Sequence, residues 1–402
     1  MTIALSILGL GFLIFIHELG HFLVSLALGM RPRRFYIGFP PAIWKTTRNG
    51  IEYGLGAIPL GGFVKIPGMH RPAPVDVDIG IGKVAAEVGM LAAPTNRLRA
   101  ALAAGDHDTA RDAVRVLREL VDEEKLDPRA DAAARKSLDD LDDALGPNAY
   151  WRAATWKRVA AIAAGPLANI ALALVIFTVL YMTAAGQATT TIERVSEGSP
   201  AAAAGLQAGD RLLSIDGQRV AADQISTVIS GSEGKPLTVV VVRDGERITL
   251  PATRPQETDG AYRLGFVLAG KGLPLPAATG EAFVLTGRVT QEMGKAIGRL
   301  VQGEGKEDIA SPVGIVRGSS DAAKDGAQSF FFVLGLISLS IALLNLLPFL
   351  PLDGGHIAFA IAEGIRGRVV RREIYERVSI VGIVLVVLLF FVGLSNDIDR
   401  LS

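Results

Sequence analysis

Four apolar stretches, at residues 3–28, 159–185, 330–349 and 378–394, dominate what this chain can become. About 20 consecutive apolar residues cross the hydrocarbon of a bilayer, where every backbone N–H and C=O needs a partner inside the protein. Open runs this long meet that demand as α-helices. The fourth is the shortest, near the lower limit, yet it contains only apolar and small residues. The first lacks a basic leading region and is too long for the apolar part of a secretory signal, so it reads as a retained span.

Basic residues orient the spans. Arg31, Arg33 and Arg34 follow the first, and Arg152, Lys157 and Arg158 precede the second. Arg366, Arg368, Arg371, Arg372 and Arg377 lie between the third and fourth. Such loops stay in the cytoplasm. Loops one and three are therefore expected inside, with the long second loop and both termini outside.

Composition then narrows the chemistry. The 402 residues are 50% hydrophobic and carry a formal net charge of zero, so there is no basic footprint for nucleic acid. With no cysteine, disulfides, thiolate zinc sites and cysteine nucleophiles are excluded together. A metal here must sit on His, Asp or Glu.

Between the spans the texture changes. The short β-prone runs FYIGF, AIWKTT, IEYGLGAI and GGFVKI fill residues 33–66, with Asn49-Gly50 as a hairpin turn between two of them. On pattern alone this is either a small cytoplasmic sheet or a sheet dipping into the membrane. Residues 70–150 are polar and Ala-rich, and read as a soluble helical hairpin. Its first helix follows Thr109 with Asp106 or Asp108 as cap, and its second runs near 132–145 beyond Pro128. Residues 190–270 form a compact β-rich unit with a hairpin across Asp244-Gly245. Its string GLQAGDRLLSIDG resembles bacterial PDZ domains, which bind peptides as an added strand. Leu264-Gly265-Phe266 resembles their carboxylate-binding loop, or is an ordinary strand connection.

The polar interruption of the first span is His17-Glu18-Leu19-Gly20-His21, an HExxH pattern. Positions i and i+4 share one helix face, so both imidazoles reach one ion, with Glu18 beside it. Ionisable groups inside a span are costly and mark function by default. Catalytic zinc takes three protein ligands, so a third is required. His70 and His107 lie in polar loop sequence and are expected at the surface. The third ligand is sought in NLLPFLPLDGGH, residues 345–356, where Pro348 and Pro351 must end or kink the third span. Asp353 is then expected on irregular backbone at the membrane boundary, with His356 as a competitor ranked behind it.

HELGH in the first span, GPLAN (residues 165–169) in the second and N-x-x-P…LDGG in the third resemble the site-2 protease family of intramembrane zinc metalloproteases. The likeness is to the bacterial branch that carries a PDZ unit, similar to regulator-of-sigma-E protease. In that light IGF…PLGGFVK resembles the branch's membrane-reentrant β-loop, and SPVGIVRGSS also fits its pattern. Two features depart from it: the proline expected five residues after Asn345 is displaced to Pro351, and residues 70–150 lie outside the shared core.

The resemblance implies zinc on His17, His21 and Asp353, with Glu18 as the proton carrier. It leaves Asn345 and Asn169 as oxyanion or substrate-binding groups, or as hydrogen-bond partners between spans. The implied substrates are single-span membrane proteins such as anti-sigma factors and remnant signal peptides, in the inner membrane of a bacterium. The expected fold is a polytopic α-helical membrane protein: four transmembrane helices, a membrane-associated β-loop, a cytoplasmic helical insertion and an extracytoplasmic PDZ domain. Its segments are 1–32 (first span with HExxH), 33–69 (β-loop), 70–150 (insertion), 151–187 (second span with GPLAN) and 188–272 (PDZ unit). A linker at 273–327, a third span with LDGG at 328–357, and a cytoplasmic loop with the fourth span at 358–402 complete it. The rival reading is a catalytically silent scaffold that binds peptides through the PDZ unit; it sits poorly with four intact site residues. Transport is disfavoured, since no internal repeat of spans is visible.

Overall fold

A computed structural model describes residues 2–183, 187–258, 260–370 and 372–399. Its elements begin with helix α1 (Thr2–Ala27), strands β1 (Arg34–Arg48) and β2 (Ile51–Lys65), and helices α2 (Pro74–Ile79), α3 (Ile81–Glu87), α4 (Ala92–Ala104), α5 (His107–Glu123) and α6 (Pro128–Leu145). Helix α7 (Thr155–Met182) leads to β3 (Gln187–Val195), α8 (Pro200–Ala203), β4 (Arg211–Ile215), β5 (Gln218–Arg219) and α9 (Ile225–Ser230). Strands β6 (Val239–Arg243), β7 (Glu246–Thr249), β8 (Gln256–Thr258), β9 (Ala261–Arg263) and β10 (Phe266–Lys271) follow. Helices α10 (Leu275–Val301), α11 (Pro312–Asp325), α12 (Ala327–Asn345), α13 (Asp353–Arg366) and α14 (Arg372–Asp399) close the chain. Four of the helices are long and apolar enough to cross a membrane: α1, α7, α12 and residues Ile374–Asp399 of α14. This is a membrane protein.

Contacts divide the chain into two units. The first comprises Met1–Leu172, Met293–Asp325 and Leu336–Ser402. In it the β-prone runs merge into two 15-residue strands, joined where Asn49 and Gly50 both take positive φ, 53° and 76°. That is the turn whose twist matches paired strands. The strands then fold over, so Arg34–Ile37 pair both with Glu52–Leu55 and with Gly62–Lys65.

The insertion is larger than the expected hairpin. Five α-helices enclose one core in which Leu91, Leu98, Leu117, Leu138 and Leu145 are fully buried. Its two earliest helices, of 6 and 7 residues, are too short to show a periodicity of their own. Asp106 caps α5 through the Thr109 N–H at 3.0 Å, and Asp127 caps α6 with Pro128 at its first position. Ion pairs Arg33–Asp143 and Lys65–Asp140 fasten it to the ends of the β-loop.

Three further expectations change. The third span ends at Asn345, and Asp353 does not lie on irregular backbone: it opens α13. Gly354 and Gly355 are helical with it. A Cβ on Gly354 would lie 2.3 Å from the Leu346 and Leu347 carbonyl oxygens, and one on Gly355 would lie 2.5 Å from the Leu350 nitrogen. These glycines let the proline-broken loop fold back on the first turn of α13. The stretch 273–327, expected as a linker, is largely the helices α10 and α11. The fourth apolar helix is also longer than its sequence core, because polar ends continue the same backbone bonding.

The second unit is Ala173–Glu292 with Gly326–Gly335. Its sheet runs in the order β10-β3-β4-β6-β7, with β5 on β4, so β10 is an edge. Ile192, Leu212, Ile215 and Val241 fill the core beneath it. Asp210 is buried and accepts two bonds from Arg243, at 2.7 and 2.8 Å, and one from the Gln207 N–H at 2.9 Å. The Arg243 bonds hold the Asp210 carboxyl below its ordinary range. A depressed carboxylate contributes stability above its unfolded pKa near 4 and loses it as pH falls through the folded value. We expect Asp210→Asn to cost about 1.5–3 kcal/mol at pH 7. It should also lessen the loss of melting temperature as pH falls below about 4, both read by circular dichroism melts of the full chain in detergent.

Candidate active site

Helix α1 carries the site because its motif repeats every four residues on one face. His17 and His21 are each 7% exposed, and their Nε2 atoms lie 3.3 Å apart. From α13, more than three hundred residues later, Asp353 brings Oδ2 to 3.1 Å from His17 Nε2 and 3.3 Å from His21 Nε2. The same three residues stand out among the described residues as a group able to hold a metal.

The tautomer of His21 is set by its surroundings. Its Nδ1 lies 3.0 Å from the Ala161 carbonyl of α7, an acceptor only, so Nδ1 carries the proton. Nε2 then turns a lone pair towards Asp353 Oδ2, a carboxylate oxygen that has no proton to donate. Asp353 Oδ2 is buried and has no hydrogen-bond partner. Lone-pair atoms converging this closely suit a cation between them. Tetrahedral ligands at 2.0–2.1 Å from zinc stand roughly 3.3 Å from one another, which is the spacing observed. The residues present fit the ion.

Close backbone approach makes the convergence possible. A Cβ on Gly20 would lie 2.4 Å from the Ala164 carbonyl oxygen, and one on Gly165 would lie 2.3 Å from His21 Nε2. The glycine of GPLAN thus leaves room for an imidazole. Glu18, next to His17 on α1, also reaches β2, where the Val64 backbone bonds to it. Gly62 of that strand has no space for a Cβ, which would meet Glu18 Cγ at 2.9 Å.

The remaining candidates separate. Asn169 is fully buried one turn beyond Gly165; its side-chain atoms have no partner, while its carbonyl accepts from Ser338 Oγ at 2.9 Å. Asn345 is half-buried at the end of α12, and no hydrogen bond among the described residues ties it to the cluster. His356, one turn past Asp353, bonds instead to the Tyr375 hydroxyl through Nδ1. Burial pushes its pKa down to about 4, so it is neutral at pH 7. His70 is exposed with its ring 4.5 Å from that of Tyr375. His107 is not the surface residue expected: it is half-buried, accepts from Arg71 at 2.7 Å and faces the Trp151 ring at 4.9 Å. In the second unit Gly265 has φ +83°, its carbonyl accepts from the Ser196 N–H at 2.9 Å, and Phe266 opens β10. Leu264 is buried beside them, and the segment borders a cleft of about 690 Å³ shared with Ile225 and Ile229 of α9. Sequence reasoning missed Tyr375, Arg158 and Glu363, whose partners come from distant elements and leave no local spacing.

The model of peptidase family M50 matches residues 5–389. The chain belongs to peptidase family M50. This is the site-2 protease family that the three motifs resemble. The M50 chain is 31% identical over 414 residues to the "Putative zinc metalloprotease Atu1380" of Agrobacterium fabrum, covering 98% of this chain and 95% of that one. It is 31% identical over 428 residues to "Zinc metalloprotease RasP" of Bacillus licheniformis, covering 100% and 99%. It is 30% identical over 408 residues to "Zinc metalloprotease Rip1" of Mycobacterium tuberculosis, covering 88% and 83%.

For this M50 peptidase the Gly165 contact is directly testable. Gly165→Ala should push the His21 ring off the cluster and weaken zinc binding about 10- to 100-fold, as loss of a supporting contact commonly does. Helix content by circular dichroism should stay unchanged. Wild-type metal content after dialysis against a weak chelator would contradict the geometry.

Proposed function

We propose that this M50 peptidase is an intramembrane zinc metalloprotease with His17, His21 and Asp353 as ligands, cutting transmembrane segments of single-span proteins. The observation that carries this reading is the meeting of three ligand atoms, 3.1–3.3 Å apart, two of them on a helix apolar enough to span a membrane and the third, Asp353, from α13. Zinc held there supplies a Lewis acid, which brings the pKa of water to about 7 and polarises a carbonyl. Glu18 accepts the proton of the attacking water and returns it to the leaving amine. Asn169, buried with both amide atoms unpartnered, is the better placed of the two asparagines to hold substrate backbone or the oxyanion. Asn345 remains the second candidate for the same work.

A helical substrate hides its amides, so it must open into a strand before water reaches the bond. The segment Gly62–Val64, next to Glu18, offers backbone for that strand. The sheet unit of residues 187–271 acts as a PDZ domain: β10 is an unpaired edge, and the cleft between it and α9 begins at Leu264-Gly265-Phe266. It screens for substrates already trimmed outside, such as anti-sigma factors or remnant signal peptides. The arginines of loops one and three support a topology with the insertion in the cytoplasm, and with both termini and the PDZ unit outside a bacterial inner membrane.

Glu18→Gln keeps the ligand set and removes the proton carrier. It should retain zinc at wild-type stoichiometry while cleavage of a co-expressed single-span substrate falls by at least about 10²-fold. Undiminished cleavage would sink the mechanism. Asp353→Ala should lose the metal itself.

A further inference from the structure

Arg158 and Glu363 form an ion pair that no step above uses. Arg158 stands on the first turn of α7, Glu363 near the end of α13, and Arg158 Nη2 lies 2.5 Å from Glu363 Oε2. Their side chains are 13% and 16% exposed, so both charges are largely out of water. The second oxygen, Oε1, accepts the Val370 N–H at 2.9 Å and ties in the loop that leads to α14. The Arg158 guanidinium also lies 5.3 Å from the centre of the Tyr150 ring. Beside the pair, a Cβ on Gly364 would come 2.6 Å from Thr155 Oγ1, so the two helices touch here with no slack.

Both helices lead from this junction to the metal ligands. Along α7, the Ala161 carbonyl accepts the hydrogen bond of His21 Nδ1–H and Gly165 makes room for the ring. Along α13, ten residues and about 15 Å away, stands Asp353. The pair therefore closes a triangle: one arm orients His21, the other presents Asp353, and the two ligand atoms meet 3.3 Å apart. We infer that Arg158 and Glu363 are positioning residues, whose ion pair sets the register of α13 against α7 and so delivers Asp353 to the metal. A slip of α13 by one residue moves Asp353 by about 1.5 Å, against a tolerance of about 0.2 Å in ligand distance. Buried ion pairs add little net stability over apolar packing, and fixing register is their better-attested effect. A carboxylate with one oxygen on an arginine and the other on a loop amide has one seat.

The inference rests on His17, His21 and Asp353 being the ligands, so the test separates the two ideas. Zinc affinity is measured by chelator competition on the purified full chain in detergent, and Co²⁺-substituted protein is examined by visible absorption. Arg158→Gln and Glu363→Gln should each weaken zinc binding about 10- to 100-fold and change the cobalt spectrum. The double variant should lose no more than the worse single one, because the two residues act as a unit. Arg158→Lys keeps the charge without the planar fork and should fall between; it serves as the reporter if either Gln variant fails to fold. Wild-type zinc affinity and cobalt spectra in folded variants would overturn the register role, even if their melting temperatures fell. Zinc retained by Asp353→Ala would instead overturn the ligand assignment.

Discussion

The structure turns on the meeting of His17, His21 and Asp353 within a segment fit for lipid. In hydrocarbon an unsatisfied polar atom costs several kcal/mol, so three of them persist only if something holds them together. The 3.1–3.3 Å spacing is that of ligands around one small cation, and donation of the His21 Nδ1–H to the Ala161 carbonyl leaves Nε2 with its lone pair facing the cluster. Everything nearby serves that convergence. Pro348 and Pro351 end α12, the loop folds back, and the glycines after Asp353 let α13 begin against it.

Glycine is the material of this site. Gly20 lets α1 touch α7, Gly165 makes room for His21, and Gly62 brings β2 onto Glu18. Each sits in a motif that the sequence displays, yet their shared purpose is to remove a Cβ where two elements cross. Small residues at such crossings are how helices pack closely in membranes, where hydrophobic driving force between them is absent.

Much of the architecture was legible beforehand. Long apolar runs announce themselves, because lipid demands one kind of residue for the full length of a span. Asn49-Gly50 was legible because few residues accept two positive φ angles in succession. The short helices α2 and α3 were not, since six or seven residues carry less than two turns of periodicity. Asp353 was found from its neighbours, but its helical setting was missed, because the fold-back that packs Gly354 and Gly355 against Leu346, Leu347 and Leu350 leaves no local signature.

From residue types and spacing alone came the membrane class, the chemistry of HExxH and the need for a third oxygen or nitrogen ligand. Those follow from local rules, because helix periodicity and desolvation act within a few residues of each atom. The folded chain settled which side chains meet. The tautomer of His21, the partnership of His356 with Tyr375 and the joining of Arg158 to Glu363 depend on residues up to 205 positions apart. Such pairs are selected by packing geometry, and one-dimensional spacing carries no trace of it.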